Sequence, residues 1–265
     1  MELLTPREYM ERNLDFLPKV VEIGFGYGEF LSFLAESEAI RVFGVDISNF
    51  SFDKARSRLK EKKVSLIKVD GYFFVKYMNA PGTIKKLYIL FPDPWPKVPS
   101  RRLINDEFVR ILASRVSGEV YIATDHDEYA KEIERAFTSS SCFYLLDWSL
   151  DVKTKYTRKW SSLGRSFKLF RFVNRGFNGT HYDPALISLE GRFEEVEFVR
   201  ENNIVLKRME TFHGESSKRI VSYLYAEKNF SFVYYFKIED DYLTSLNTCG
   251  EVLPPFLRVL VGGGK

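Results

Sequence analysis

The chain has 265 residues, 45% of them apolar and 28% charged, enough to build a real core in one large or two modest domains. Its formal charge is only +3, which excludes a protein that holds nucleic acid by total charge alone and leaves any such affinity to local clusters. Two cysteines, Cys142 and Cys249, stand far apart; they exclude a disulfide framework or a cysteine-built zinc cluster, so no metal is expected and a reducing compartment fits.

The N-terminus mixes Glu2, Arg7, Glu8, Glu11 and Arg12 among its apolar residues, and no apolar run approaches the ~20 residues of a membrane helix. The expectation is a soluble cytoplasmic protein without a membrane partner. Residues 5–16 read as a lead helix closed by Pro18, and residues 19–23 as a strand running into the turn Gly24-Phe25-Gly26-Tyr27-Gly28. A helix over 29–36 follows, with Phe30, Leu31 and Leu34 on one face. Residues 41–46 form the next strand, ending in Asp46. Residues 49–62 read as a helix with Phe52, Ala55 and Leu59 inward, and residues 64–69 as a third strand followed by Asp70. Residues 87–91 make the fourth strand and 120–124 the next, with a helix over 127–137 and a last strand over 167–173. Alternation of this kind predicts an α/β fold: a parallel sheet covered by helices on both faces, with ligands at the carboxyl ends of its strands.

The fourth strand runs into Pro92-Asp93-Pro94-Trp95-Pro96-Lys97. Proline fixes its own φ and restricts the residue before it, so Asp93 and Trp95 are expected to be extended and rigid. A carboxylate can meet a base edge while an indole stacks on a base face for about 1–3 kcal/mol. The plainer alternative is a proline-rich turn with Trp95 plugging the core. Upstream, the glycine turn allows close approach of backbone to ligand at a helix N-terminus. Asp46 can accept both hydroxyls of a ribose, and Asp70 can meet an adenine amino group. An adenosine-bearing cofactor fits this set. A dinucleotide pattern wants a small residue where Glu29 stands. Glu22, inside the strand, can hold the ammonium of an amino-acid cofactor, or it is a partly buried structural acid.

Together, Glu22-Ile23-Gly24-Phe25-Gly26-Tyr27-Gly28, Gly44-Val45-Asp46-Ile47, Phe91-Pro92-Asp93-Pro94-Trp95-Pro96-Lys97, Thr124-Asp125-His126 with Tyr129, and Thr154-Lys155-Tyr156 resemble the ordered motifs of the bacterial tRNA (guanine-N7-)-methyltransferases. The likeness runs from about Glu22 to Trp160, and its most specific part is the Phe-Pro-Asp-Pro-Trp stretch. The resemblance implies a Rossmann-like class I fold that uses S-adenosylmethionine to methylate a guanine in the variable loop of tRNA. It implies that Glu22, Gly24, Gly26, Asp46, Asp70 and Asp93 bind the cofactor, with Asp93 also catalytic. It further implies that Lys97, Asp125, Thr154, Lys155, Tyr156 and Thr157 contact the tRNA. Guanine N7 carries an in-plane lone pair and no proton, so alignment matters more than a base. Asp125 has a second reading as the N-cap of the 127–137 helix, and His126 reads as a cap-region surface histidine.

The chain departs from that family in two places. Only Val98-Pro99-Ser100 stand between Lys97 and the Arg101-Arg102 pair, where the family commonly has a longer basic insert. Thr157 stands where the family has an acid. From Lys153 to Arg175, basic residues interleave with Tyr156, Trp160, Phe167, Phe170 and Phe172, a pattern that suits RNA and equally suits a solvated strand. The expected domains are residues 1–173 and a small β-rich extension, 174–265, with strands over 193–200, 204–212, 219–227 and 230–238. Tyr223, Tyr225, Tyr234 and Tyr235 on those strands read as core or as base-stacking rings. Three other functions stay open: a nicotinamide dehydrogenase, a methyltransferase of an exocyclic amine, and a non-catalytic RNA-binding subunit. Monomer and homodimer are equally open.

Overall fold

The structure is a computed structural model describing residues 1–149, 166–177, 182–214, 218–228, 230–246 and 251–261. Two compact units divide the chain: Met1–Leu4 with Arg12–Tyr182, and Thr5–Glu11 with Asp183–Lys265. The first holds strands β1 (Glu2–Leu4), β2 (Lys19–Ile23), β3 (Val42–Asp46), β4 (Val64–Lys68), β5 (Ile84–Leu90), β6 (Val116–Thr124), β7 (Phe143–Leu146) and β8 (Lys168–Asn174). They form one sheet in the order β1-β4-β3-β2-β5-β6-β8-β7. The ladders from β1 to β6 are parallel, while β8 runs antiparallel to both β6 and β7.

Helix α1 (Pro6–Glu11) belongs to the second unit; the first holds α2 (Glu29–Ser37), α3 (Asn49–Leu59), α4 (Gly71–Tyr77), α5 (Asp106–Arg115) and α6 (Asp127–Thr138). Every residue of β2 is buried, as a central parallel strand requires. On one face Val20, Leu31, Leu34, Val42, Leu59 and Leu66 close a core against α2 and α3. The polar exceptions on β2 are Glu22, which lines the candidate site, and Lys19. Its Nζ donates to the Asp15 carbonyl at 3.0 Å and to Asn79 Oδ1 at 3.1 Å, and burial pushes its ammonium down to about 7.

The expected lead helix over 5–16 is broken. After α1, Asn13 takes φ 54° and a separate 3-10 turn, Leu14–Phe16, follows. Asparagine tolerates the left-handed region, so the helical pattern stops there, well before Pro18. Strand β5 starts at Ile84 and ends at Leu90, because Phe91 leaves the extended region with φ 55°. The short strands β1 and β7 and helices α4 and α5 are additional to the elements expected.

In the second unit, β9 (Glu190–Arg192), β10 (Phe198–Glu201), β11 (Ile204–His213), β12 (Arg219–Glu227), β13 (Phe230–Glu239) and β14 (Tyr242–Ser245) form an antiparallel sheet ordered β10-β11-β12-β13-β14-β9. The expected strand over 193–200 is replaced by two short strands on opposite edges of the sheet. Tyr223, Tyr225 and Tyr234 lie buried, while Tyr235 is 47% exposed. Alternation along β13 puts neighbouring tyrosines on opposite faces, so three of the four rings are core.

One irregularity sets the register that the site depends on. Ile84 pairs with Val116, but Lys86 pairs with Glu119, so Ser117 and Gly118 together face Lys85. This is a β-bulge, which re-aims everything downstream on β6. A Cβ on Gly118 would sit 2.1 Å from the Lys85 carbonyl oxygen, and a backbone atom cannot swing aside as a side chain does. Gly118→Ala is therefore expected to lower unfolding free energy by about 1–3 kcal/mol, read from urea midpoints; an unchanged midpoint would mean that the bulge yields freely.

Candidate active site

The parallel ladders bring the strand ends to one edge. Ile23 pairs with Val45 and with Ile89, and Leu90 pairs with Ala123. The order reverses between β2 and β5, so the crevice between their ends is where a ligand fits an open α/β sheet. After β2 the chain turns through Gly24, Gly26 and Gly28 at φ 74°, 51° and 70°, a run that side chains with a Cβ resist. The Gly24 N–H donates to the Val45 carbonyl at 2.7 Å, and Gly28 caps α2 where a Cβ would crowd Ala55 and Leu59.

A cleft here is lined by Glu22, Gly24, Gly26, Tyr27, Phe50 and Phe91, among others. Glu22 is 3% exposed, and its Oε2 has no hydrogen-bond partner among the described residues. Burial, reinforced by the nearby Asp46 carboxylate, pushes its carboxyl up to about 8. Asp46, at the end of β3, accepts from the Ser48 N–H at 2.8 Å through Oδ1 and from the Gly26 N–H at 3.3 Å through Oδ2. Each oxygen keeps a second lone pair for a ligand hydroxyl. A buried acid lacking a partner, a second acid and a glycine-walled backbone fit a ligand with a cation and hydroxyls. They oppose a ligand that would bring phosphates against Glu22. Asp70 caps α4, its Oδ1 accepting from the Phe73 N–H at 3.0 Å.

The proline loop differs from expectation. Trp95 has φ 40° and Phe91 φ 55°, so both residues that precede a proline and flank the Asp93 segment are left-handed, and Trp95 is not extended. Pre-proline restriction acts mainly against the right-handed helical region, and tertiary bonds decide between the conformations left. The Phe91 N–H donates to the Ala123 carbonyl at 2.8 Å, extending the ladder by one bond. The Pro94 carbonyl accepts from Arg102 Nε at 2.6 Å. Trp95 is 38% exposed, with the Arg101 guanidinium 5.0 Å over its ring, and so is no core plug.

Asp93 is exposed on this loop, and Asp125 is exposed just beyond β6. Neither carboxylate has a hydrogen-bond partner among the described residues. The cap of α6 is His126, whose Nδ1 accepts from the Tyr129 N–H at 3.3 Å; Asp125 is thus not the cap. Lys97 is exposed on the same loop as Asp93. Thr154, Lys155, Tyr156 and Thr157 lie outside the described residues, as does Cys249. Two residues with a direct part in the loop's geometry were not singled out from sequence: Arg102, fully buried, and Glu132, its ion-pair partner at 2.6 Å. The spacing of Tyr129 and Glu132, three apart on α6, was the available signal.

Among the described residues, no helix is long and apolar enough to cross a membrane. The first unit has a Rossmann-like α/β fold whose strand order reverses between β2 and β5, and the second is the small β-rich unit. The tRNA (guanine-N(7)-)-methyltransferase of Thermotoga maritima is 36% identical over 212 residues, 75% of this chain and 66% of that protein. The protein of that name from Coprothermobacter proteolyticus is 37% identical over 166 residues, 60% of this chain and 51% of the relative. That from Aquifex aeolicus is 27% identical over 263 residues, 88% of both chains. Against the first two, the chain spans between half and just under two thirds of the relative's length. Residues 17–169 match the model of a family described as "Putative methyltransferase", and since that match takes in more than half of the 265 residues, the chain belongs to this family.

Proposed function

We propose that this chain transfers a methyl group from S-adenosylmethionine to N7 of a guanine in the variable loop of tRNA, in the cytoplasm. The observation that carries the cofactor is Glu22: a buried carboxyl with an oxygen lacking a partner, in the wall of a glycine-turned cleft beside Asp46. The names of the relatives support the tRNA guanine as substrate.

When bound, S-adenosylmethionine supplies an electrophilic methyl on a sulfonium. Glu22 holds the amino-acid ammonium, Gly24 and Gly26 admit the ligand close to the backbone, and Asp46 accepts the ribose hydroxyls. Asp70 is assigned to the adenine amino group. Asp93, on the loop beyond β5, orients the guanine and offsets the positive charge that grows on its ring as N7 is alkylated. It removes no proton, because N7 has none, whereas an exocyclic amine would have one to lose. Lys97, Asp125 and residues 154–157 contact the tRNA.

The direct experiment is transfer of labelled methyl to unmodified tRNA transcripts followed by nucleoside analysis. The expected product is 7-methylguanosine, lost when the variable-loop guanine is replaced. Asp93→Ala is expected to reduce kcat by about 100-fold or more; near-normal turnover would remove Asp93 from the chemistry.

A second prediction follows from Glu22. Its folded value of about 8 lies above the ordinary 4.5, so between these the native state binds more protons than the unfolded chain, and this group makes stability fall as pH rises through that window. A ligand ammonium favours the ionised form, so cofactor binding at pH 7 is expected to release a proton. Calorimetry in buffers of different ionisation enthalpy measures that number, and Glu22→Gln is expected to abolish the release. Equal release from both proteins would place the coupled group elsewhere.

A further inference from the structure

Loop strain, buried charge and helix placement converge on one side chain that the proposed chemistry does not itself use. Asp93 stands between Phe91 and Trp95, both held at positive φ. Such a conformation costs free energy and persists only where the surroundings over-determine it. The determinant is Arg102. Its side chain is 2% exposed, its Nε donates to the Pro94 carbonyl at 2.6 Å, and its Nη1 pairs with Glu132 at 2.6 Å. Its guanidinium lies 5.1 Å over the ring of Tyr129. The Tyr129 hydroxyl in turn accepts from the Ile104 N–H at 2.9 Å, which anchors the segment between the loop and α5. Glu132 and Tyr129 both belong to α6, the helix that starts two residues after Asp125.

We propose that Arg102 is the positioning residue of this site: its planar fork ties the Asp93 loop to α6 and so fixes Asp93 and Asp125 relative to each other. A lysine could not replace it, since a single ammonium cannot hold the Pro94 carbonyl and Glu132 along two directions of one plane while stacking on a ring. The cofactor cleft is lined by Glu22 and residues after β2, by Phe50 and Ser51 of α3 and by Leu90 and Phe91 at the end of β5; it touches the loop only at Phe91 and does not include Arg102.

The activity arm of the test rests on the tRNA methyltransferase reading; the exchange arm does not. Arg102→Lys and Glu132→Gln are compared with the wild-type chain. Hydrogen exchange of the amides in 91–102, against those of α4 as internal reference, reads the loop without substrate. The expected result is exchange at least tenfold faster in 91–102 for Arg102→Lys and a smaller rise for Glu132→Gln. Alongside it, kcat for tRNA is expected to fall by about 100-fold, as small misplacements do, with the S-adenosylmethionine KM within about twofold of wild type. Unchanged exchange in 91–102, or a lowered Tm with kcat intact, would overturn the proposal and leave Arg102 a packing residue. Should Arg102→Lys fail to fold, Glu132→Gln, at a half-exposed side chain, carries the same two readouts. Faster exchange in a protein whose wild type makes no 7-methylguanosine would retain the positioning role and remove the substrate assignment instead.

Discussion

The constraint on which the first unit depends is the register of four adjacent parallel strands. Because Val45, Ile23, Ile89 and Ile122 lie on one line across the sheet, the residues just past each strand are delivered to a single edge. Gly24, Asp46, Asp93 and Asp125 are thereby gathered from positions spread over a hundred residues of sequence. A slip of one residue would invert the alternation of a strand and turn its side chains to the other face. The bulge at Ser117 and Gly118 belongs to this constraint, since it decides which residue of β6 lies beside Leu90.

Electrostatics then divides that edge into two kinds of acid. Glu22 sits buried inside β2, next to another carboxylate; it is an acid whose charge a ligand cation would complete. Asp93 and Asp125 stand exposed on loops, where their carboxylates remain available. Asp46 lies between the two, already hydrogen-bonded by Ser48 and Gly26 yet with lone pairs to offer. Its bonds hold the carboxylate in one orientation, so little freedom is lost when a ligand arrives.

Much of this was legible in the residues because it is local. Hydrophobic periodicity marked the strands β2 to β5 and the helices α2 and α3 between them, and the glycine turn could be read from the order of residues 24–28. What escaped depended on partners far away in sequence. Proline restriction pointed to an extended Trp95, but Arg102, acting on Pro94 from eight residues on, holds the loop in a different basin. Asp125 and His126 were both plausible caps, and only the backbone direction at the end of β6 selects the histidine. Arg101 and Arg102 are identical neighbours in sequence, yet one lies exposed over Trp95 and the other is buried on Tyr129. Nothing within either residue separates them. The lead helix failed for a local reason, the left-handed Asn13.

The same geometry decides against a dinucleotide cofactor more firmly than the pattern of glycines does. Glu29 stands where a dinucleotide site has a small residue, but it faces Arg58 at 3.6 Å, so its charge is partly offset and its objection weakened. Glu22 supplies the stronger objection. A pyrophosphate placed at the turn would carry its charges toward a buried carboxyl with an oxygen lacking a partner, and toward Asp46 beside it. Either Glu22 would remain protonated, giving up the interaction for which it is desolvated, or like charges would meet in a medium that screens them poorly. A ligand ammonium reverses both terms at once: it supplies the missing partner and relieves the repulsion between Glu22 and Asp46. The cost of burying Glu22 in the free protein is therefore recovered by one sign of ligand only, and that sign separates an amino-acid cofactor from a nucleotide pyrophosphate on the same fold.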